Sequence, residues 1–153
     1  MSIAISTHPA ATAQHAPDPP AEPGRRAGLD LPPSPESARA ARRFAHATLA
    51  EWRLEPLTDD LDLVVSELIT NALLHARTGR CAPGATIRLD LERHEGHLLC
   101  RVGDGSELPP LPEEAVDTAE SGRGLLLVEA VSTCWGWSRE AGGKSVWAQL
   151  RLP

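Results

Sequence analysis

Three groups of residues in this sequence stand where packing alone would not put them. Glu67, Asn71 and His75 follow one another at i, i+4 and i+8, the spacing that stacks side chains along one edge of a helix. Asp104 closes the alternating run Leu98, Cys100, Val102, Asp104 and therefore shares a strand face with three apolar side chains. Ser121-Gly122-Arg123-Gly124 stands directly before the apolar stretch from Leu125 to Val131. Each group suggests chemistry. A carboxylate and an amide at the edge of an apolar arc line a cavity beside the core, unless Glu67 is only a flank carboxylate capped by its i+4 amide. A buried acid at a strand end needs a donor to satisfy it, and a ligand can supply one. Glycines at a helix start let backbone N–H groups approach a phosphate, whose charge the helix dipole favours. That glycine pair is not a dinucleotide fingerprint, because Leu127 occupies the third glycine position, and no Gly-Lys-Ser/Thr follows as in a Walker loop.

The elements that must position these groups can be read from periodicity. Leu61, Val64, Val65, Leu68 and Ala72 fall on one arc of a helix from Leu61 to Ala76, with Asp62, Ser66 and Thr70 as its wetted strip. Thr58 is placed to cap this helix, with Asp59 and Asp60 at its positive end. An earlier helix is expected with Ser34 as N-cap and Pro35 at the first helical position. Its core stripe is Ala38, Ala41, Ala45, Leu49 and Trp52. Arg39, Arg42, His46 and Arg53 make a basic ridge beside that stripe, either a solvated helix side or a face for an acidic partner.

Strands are expected at Thr86 to Glu92 and Leu98 to Asp104, joined by a turn at His94-Glu95-Gly96-His97. Two more are expected at Trp135 to Glu140 and Ser145 to Leu152, joined at Gly142-Gly143. Leu29-Asp30-Leu31 offers one further short strand before Pro32 and Pro33 stop it. The two turn histidines lack a further ligand nearby in sequence, so the reading assigns them no metal.

Composition bounds the rest. With 153 residues and 41% hydrophobic content the chain can bury one modest core. Residues 1–28 carry five of the fourteen prolines and almost no large apolar residue after Ile5, so they are expected to form a disordered tail ahead of a single domain at 29–153. A net charge of −6 argues against nucleic acid or an anionic membrane as the main partner. Cys81, Cys100 and Cys134 share no metal-type spacing and read as reduced thiols. The N-terminus lacks a basic segment followed by an apolar run, and no stretch reaches the length of a membrane span, so a cytoplasmic protein is expected.

In this order the motifs carry a resemblance. SELITNALLHA resembles the N-box of the Bergerat-fold (GHKL) ATP-binding superfamily, which includes gyrase B, histidine kinases and MutL. VGDG resembles its first glycine box, SGRGLLLVEAV its second, and GGKSVW its closing strand. The compact size and helical start are similar to the anti-sigma-factor serine kinases of the SpoIIAB and RsbW type. The resemblance spans Leu29 to Leu152 and departs from the D-x-G-x-G pattern, since Ser106 and Leu108 stand at its glycine positions.

The resemblance implies a fold and a set of roles. The fold is an α/β (α+β) sandwich with a mixed, mainly antiparallel sheet carrying three helices on one face. Asn71 would ligate Mg²⁺ bridging the nucleotide phosphates, and Glu67 would be the general base. Asp104 would accept a hydrogen bond from the adenine amino group, with Gly105 beside it. Gly122, Arg123, Gly124 and Leu125 would form the phosphate-binding lid end, and Ser145 would supply a hydroxyl near adenine. Arg42 would contact protein partners.

The implied function is an ATP-binding anti-sigma-factor-type regulator with serine/threonine kinase activity toward an antagonist protein. The alternative is a nucleotide-binding module that sequesters a partner and transfers no phosphate. The implied partners are ATP or ADP, a sigma factor and its antagonist, with no direct nucleic acid or membrane contact and with room for a homodimer.

Overall fold

The computed structural model describes residues 25–77, 85–105, 126–140 and 143–153, and shows one five-stranded sheet with helices on one side. The chain runs through β1 (Arg26–Leu31), α1 (Ser37–Trp52), a 3-10 turn (Glu55–Leu57), α2 (Thr58–Arg77), β2 (Ile87–His94) and β3 (His97–Asp104). A short helix, α3, follows at residues 126–131, and then β4 (Cys134–Glu140) and β5 (Gly143–Arg151). The strand order is β1-β2-β3-β5-β4. All four pairings are antiparallel, so the sheet expected to be mixed and mainly antiparallel is antiparallel throughout its described strands.

Alternation sets the core. Leu89 and Leu91 on β2, Leu98, Cys100 and Val102 on β3, Trp135 and Trp137 on β4, and Val146, Ala148 and Leu150 on β5 all join the buried cluster under the helices. The register makes this consistent across the sheet, with Leu89 opposite Val102, Cys100 opposite Ala148 and Val146 opposite Trp137. From above, α1 contributes Ala41, Ala45, Leu49 and Trp52, and α2 contributes Leu61, Val64, Val65, Leu68, Ile69 and Ala72. The small residues of α1 let it lie close to α2 and the β1 end of the sheet. Helix α2 spans β3 and β5. The helical arc foreseen from the spacing is therefore the packed one.

Local departures have local causes. β1 begins at Arg26, three residues before the expected boundary, because Ala27 and Leu29 pair with Leu91 and Leu89 and extend the ladder. Helix α1 begins at Ser37, not at Pro35. Ser34 and Glu36 bond to each other, and the Ser37 hydroxyl donates to the Pro32 carbonyl at 2.5 Å, so residues 34–36 form a turn ahead of the helix. Thr58 likewise donates its hydroxyl to the Glu55 carbonyl at 2.7 Å and closes the 3-10 turn from which α2 grows. Arg53 ends α1 with a left-handed φ of 58° and returns its N–H to the Ala50 carbonyl.

Among the thiols, burial pushes Cys100 up to about 12 and raises Cys134 as well, so neither is a reactive thiolate. Cys81 lies outside the described residues. No helix among the described residues is long and apolar enough to cross a membrane.

Candidate functional site

The site has a helical wall and a sheet wall. On the helical wall, Glu67 and Asn71 are one turn apart on α2, beside the Val64, Leu68, Ala72 arc that docks on the sheet. Asn71 is only 5% exposed, and its side-chain oxygen is buried with no hydrogen-bond partner among the described residues. An orphaned buried amide oxygen is costly, by roughly 1–3 kcal/mol, so it is kept only where packing or a ligand requires it. Glu67 is half-buried, and desolvation raises its pKa above the ordinary carboxylate value. A carboxylate in that setting is a stronger proton acceptor than one in water. The side chain of His75 lies outside the described part of the chain.

The sheet wall is built by β3 and β5. Parity carries Asp104 to the helix side, as expected from Leu98, Cys100 and Val102. Its donor comes from the protein itself. Lys144, directly opposite in the β3–β5 register, places Nζ 2.5 Å from the Asp104 carboxylate. Both side chains are withdrawn from solvent, 0% and 3% exposed. Gly143 makes this possible, because a Cβ at that position would collide with the Asp104 carbonyl oxygen. Gly105, half-buried, continues the backbone at that close approach.

The same pleat separates Ser145 from Asp104. Ser145 pairs with Gly103 and Ser138 and points to the opposite face from Asp104, where its hydroxyl is buried without a partner among the described residues. A single residue of offset flips a side chain across a sheet, so Lys144 and not Ser145 stands beside Asp104. A sequence signal for Lys144 existed. It is the only lysine of the chain and alternates in phase with Val146, Ala148 and Leu150, which places it on the helix face, while its partner follows only from the β3–β5 register.

Gly122, Arg123, Gly124 and Leu125, expected to hold phosphate, lie outside the described residues. In the following helix Val128 is buried in the core, and the Ser132 hydroxyl and N–H both return to its carbonyl.

The basic ridge of α1 divides. Arg42 donates to the Ser66 hydroxyl at 3.2 Å, and His46 Nε2 lies 2.6 Å from an Asp62 carboxylate oxygen, so half of the ridge binds the polar strip of α2. Arg39 and Arg53 remain exposed. A separate ionic cluster lies on the other sheet face, where fully buried Glu92 meets Arg26 at 3.5 Å, Arg101 at 3.4 Å and His94 at 3.1 Å.

Comparison with known proteins agrees with this architecture. No curated protein matches the chain. The family model of the histidine kinase-like ATPase domain matches residues 31–150, from the end of β1 to the last turn of β5. That span takes in Glu67, Asn71, Asp104 and Lys144, so on its sheet order, its helical layer and this match the chain belongs to the histidine kinase-like ATPase family of the GHKL superfamily.

Proposed function

We propose that the chain binds Mg·ATP between α2 and the β3–β5 end of the sheet, and that it is an anti-sigma-factor-type regulator phosphorylating a serine or threonine of an antagonist protein. The observation that carries the nucleotide part is the buried, partnerless oxygen of Asn71. A neutral amide oxygen suits a hard cation such as Mg²⁺, which takes oxygen ligands and completes its shell with phosphates and water. When bound, the cation would neutralise phosphate charge. Asp104 would accept a hydrogen bond from the base, and Gly122 and Gly124 would offer backbone N–H groups to the phosphates, as the family resemblance implies.

For transfer, the substrate hydroxyl oxygen bonds to the γ-phosphorus, its proton passes to Glu67, and the bond to the β-phosphate oxygen breaks to release ADP. The raised proton affinity of Glu67 supports that role. Exposed Arg39, with Arg42 beside it, offers a basic surface to an acidic protein partner in a cytoplasmic setting.

The test is titration calorimetry with ATP and ADP, with and without Mg²⁺, on the wild type and on Asn71→Ala and Asp104→Ala. Mg²⁺-dependent binding lost in both variants is expected. Unchanged affinity in both, with intact circular dichroism, overturns the nucleotide site. Incubation of wild type with labelled ATP and co-purified partners then tests transfer. Tight nucleotide binding without any phosphorylated partner would leave a sequestering module in place of a kinase.

A further inference from the structure

The outer face of the sheet, away from the helices, is buried where the described residues lay nothing over it. Leu99 on β3 and Ser145 and Trp147 on β5 alternate out of phase with the core rows, so they point to that face. All three are 0% exposed, whereas Gly28 and Asp30 on β1 and Arg88 on β2, on the same face, are exposed. Neighbouring strands shield only the edges of a tryptophan standing up from a sheet. Trp147 has Arg101 on one side and Gly136, which has no side chain, on the other. Its full burial therefore calls for a covering layer over the β3–β5–β4 half of the face. The Trp147 indole Nε1 and the Ser145 hydroxyl are also buried without a partner among the described residues, so that layer should bring hydrogen-bond acceptors.

We propose that the outer face is a docking surface for this chain's own N-terminal segment, residues 1–24, with residues 17–20 lying over Trp147. The inference stands apart from the nucleotide reading. The point of entry favours this occupant. The Arg25 carbonyl accepts from the Arg93 N–H at 2.9 Å, and Arg26 stands in one cross-strand row with Glu92, Leu99 and Gln149. Trp147 lies three strands over and two residues along from Arg26, about 16 Å away at ~4.8 Å per strand and ~3.4 Å per residue. A polyproline segment advances about 3.1 Å per residue, so roughly five to six residues cover that distance and bring the chain to Pro20. The composition fits as well. Residues 1–24 hold Pro9, Pro17, Pro19, Pro20 and Pro23. Proline rings pack on aromatic faces, their carbonyls accept hydrogen bonds, and the missing N–H leaves no donor of their own to satisfy. The Trp147 N–H and the Ser145 hydroxyl are donors for those carbonyls, and the preset φ of proline lowers the entropy lost on docking. Residues 106–125 are a poorer match, because they must return from the end of β3 to α3, where Val128 joins the core on the opposite face. Docking of the tail would close an apolar patch that otherwise invites association.

The test is nuclear magnetic resonance on the nitrogen-15-labelled full chain, whose four tryptophans give four indole N–H signals. Trp147→Phe assigns the signal of Trp147. In the wild type, Overhauser contacts are expected between the Trp147 ring and the rings of Pro19 and Pro20. When Pro17→Gly, Pro19→Gly and Pro20→Gly are combined, exchange of the Trp147 indole proton with water should speed up at least about tenfold, while Trp135 and Trp137 keep their rates. Absence of proline contacts in the wild type overturns the proposal, and so does unchanged Trp147 exchange in the triple variant. Protection of Trp147 that is lost on dilution and indifferent to the prolines would give the face to a second copy, and overturns it equally. Should the triple variant fail to fold, the wild-type contacts decide.

Discussion

The two walls of the site satisfy their polar groups in opposite ways. On α2, Asn71 keeps a buried oxygen without a partner and Glu67 keeps a carboxylate whose charge burial disfavours. On the sheet, Asp104 is as deeply buried but is already neutralised by Lys144. The helical wall therefore carries a cost that a bound cation or a proton relieves. The sheet wall is complete within the protein. Strain of polarity is stored on the side where phosphoryl chemistry is proposed, and the sheet side, proposed to face the base, is built as structure first.

The sharpest way to break this contrast is to remove Lys144. A buried ion pair that loses one partner leaves an uncompensated charge, so Lys144→Met is expected to destabilise the fold by about 3–5 kcal/mol in urea unfolding. Combining it with Asp104→Leu should restore most of that loss. If Lys144→Met is nearly neutral, the sheet wall is not held by the pair.

The helical wall should behave in reverse. Glu67→Gln is expected to lower any phosphoryl transfer by roughly 10²-fold or more while nucleotide affinity stays close to wild type. Its folded-state pKa lies above the ordinary value of 4.5, so the ionised carboxylate burdens the native state above that raised pKa and the burden vanishes as pH falls below 4.5. Glu67→Gln should thus raise the melting temperature at pH 7 and lose that advantage near pH 4. A variant less stable than wild type at pH 7 would show that the carboxylate makes stabilising contacts.

Smaller effects test the ground beside the site. Arg42→Glu removes the bond to Ser66 and should cost about 1 kcal/mol, while Arg39→Glu, fully on the surface, should stay within about 0.5 kcal/mol and weaken capture of an acidic partner at low salt. Equal stability loss in the two variants would mean that the α1–α2 contact has no energetic role. His97 is smaller still. Burial and the stacked His94, with ring centroids 4.9 Å apart, hold its pKa below 6.5. The unfolded chain therefore takes up a proton first as pH falls through 6.5, and stability declines there. His97→Gln should flatten that decline between pH 7 and about pH 5, and an unchanged slope would place its origin in other groups.

Much of this was legible because period and parity survive folding. The α2 arc, the facing apolar rows of β2 and β3 and the inward aim of Asp104 follow from spacings of 3.6 and 2. What escaped was the identity of cross-strand neighbours. Nothing local in Gly-Lys-Ser states whether Lys144 or Ser145 lies beside Asp104, since that depends on a register between segments 40 residues apart. The turn before α1 was misread for a related reason. Ser34 is a good cap by type, but the Ser37 hydroxyl captures the Pro32 carbonyl and shifts the start of the helix.

The sheet order has a consequence for assembly. Hairpins β2–β3 and β4–β5 each pair strands that follow one another in sequence, but the β3–β5 seam must join two finished hairpins across a long span of chain, against a loop-closure entropy that neither hairpin meets. Asp104 and Lys144 face each other across that seam. The sheet wall is therefore expected to form late, when the two halves of the sheet dock, and to be among the first contacts to open when they part. A ligand seated there would act as a clasp on the seam, slowing unfolding more than it speeds folding.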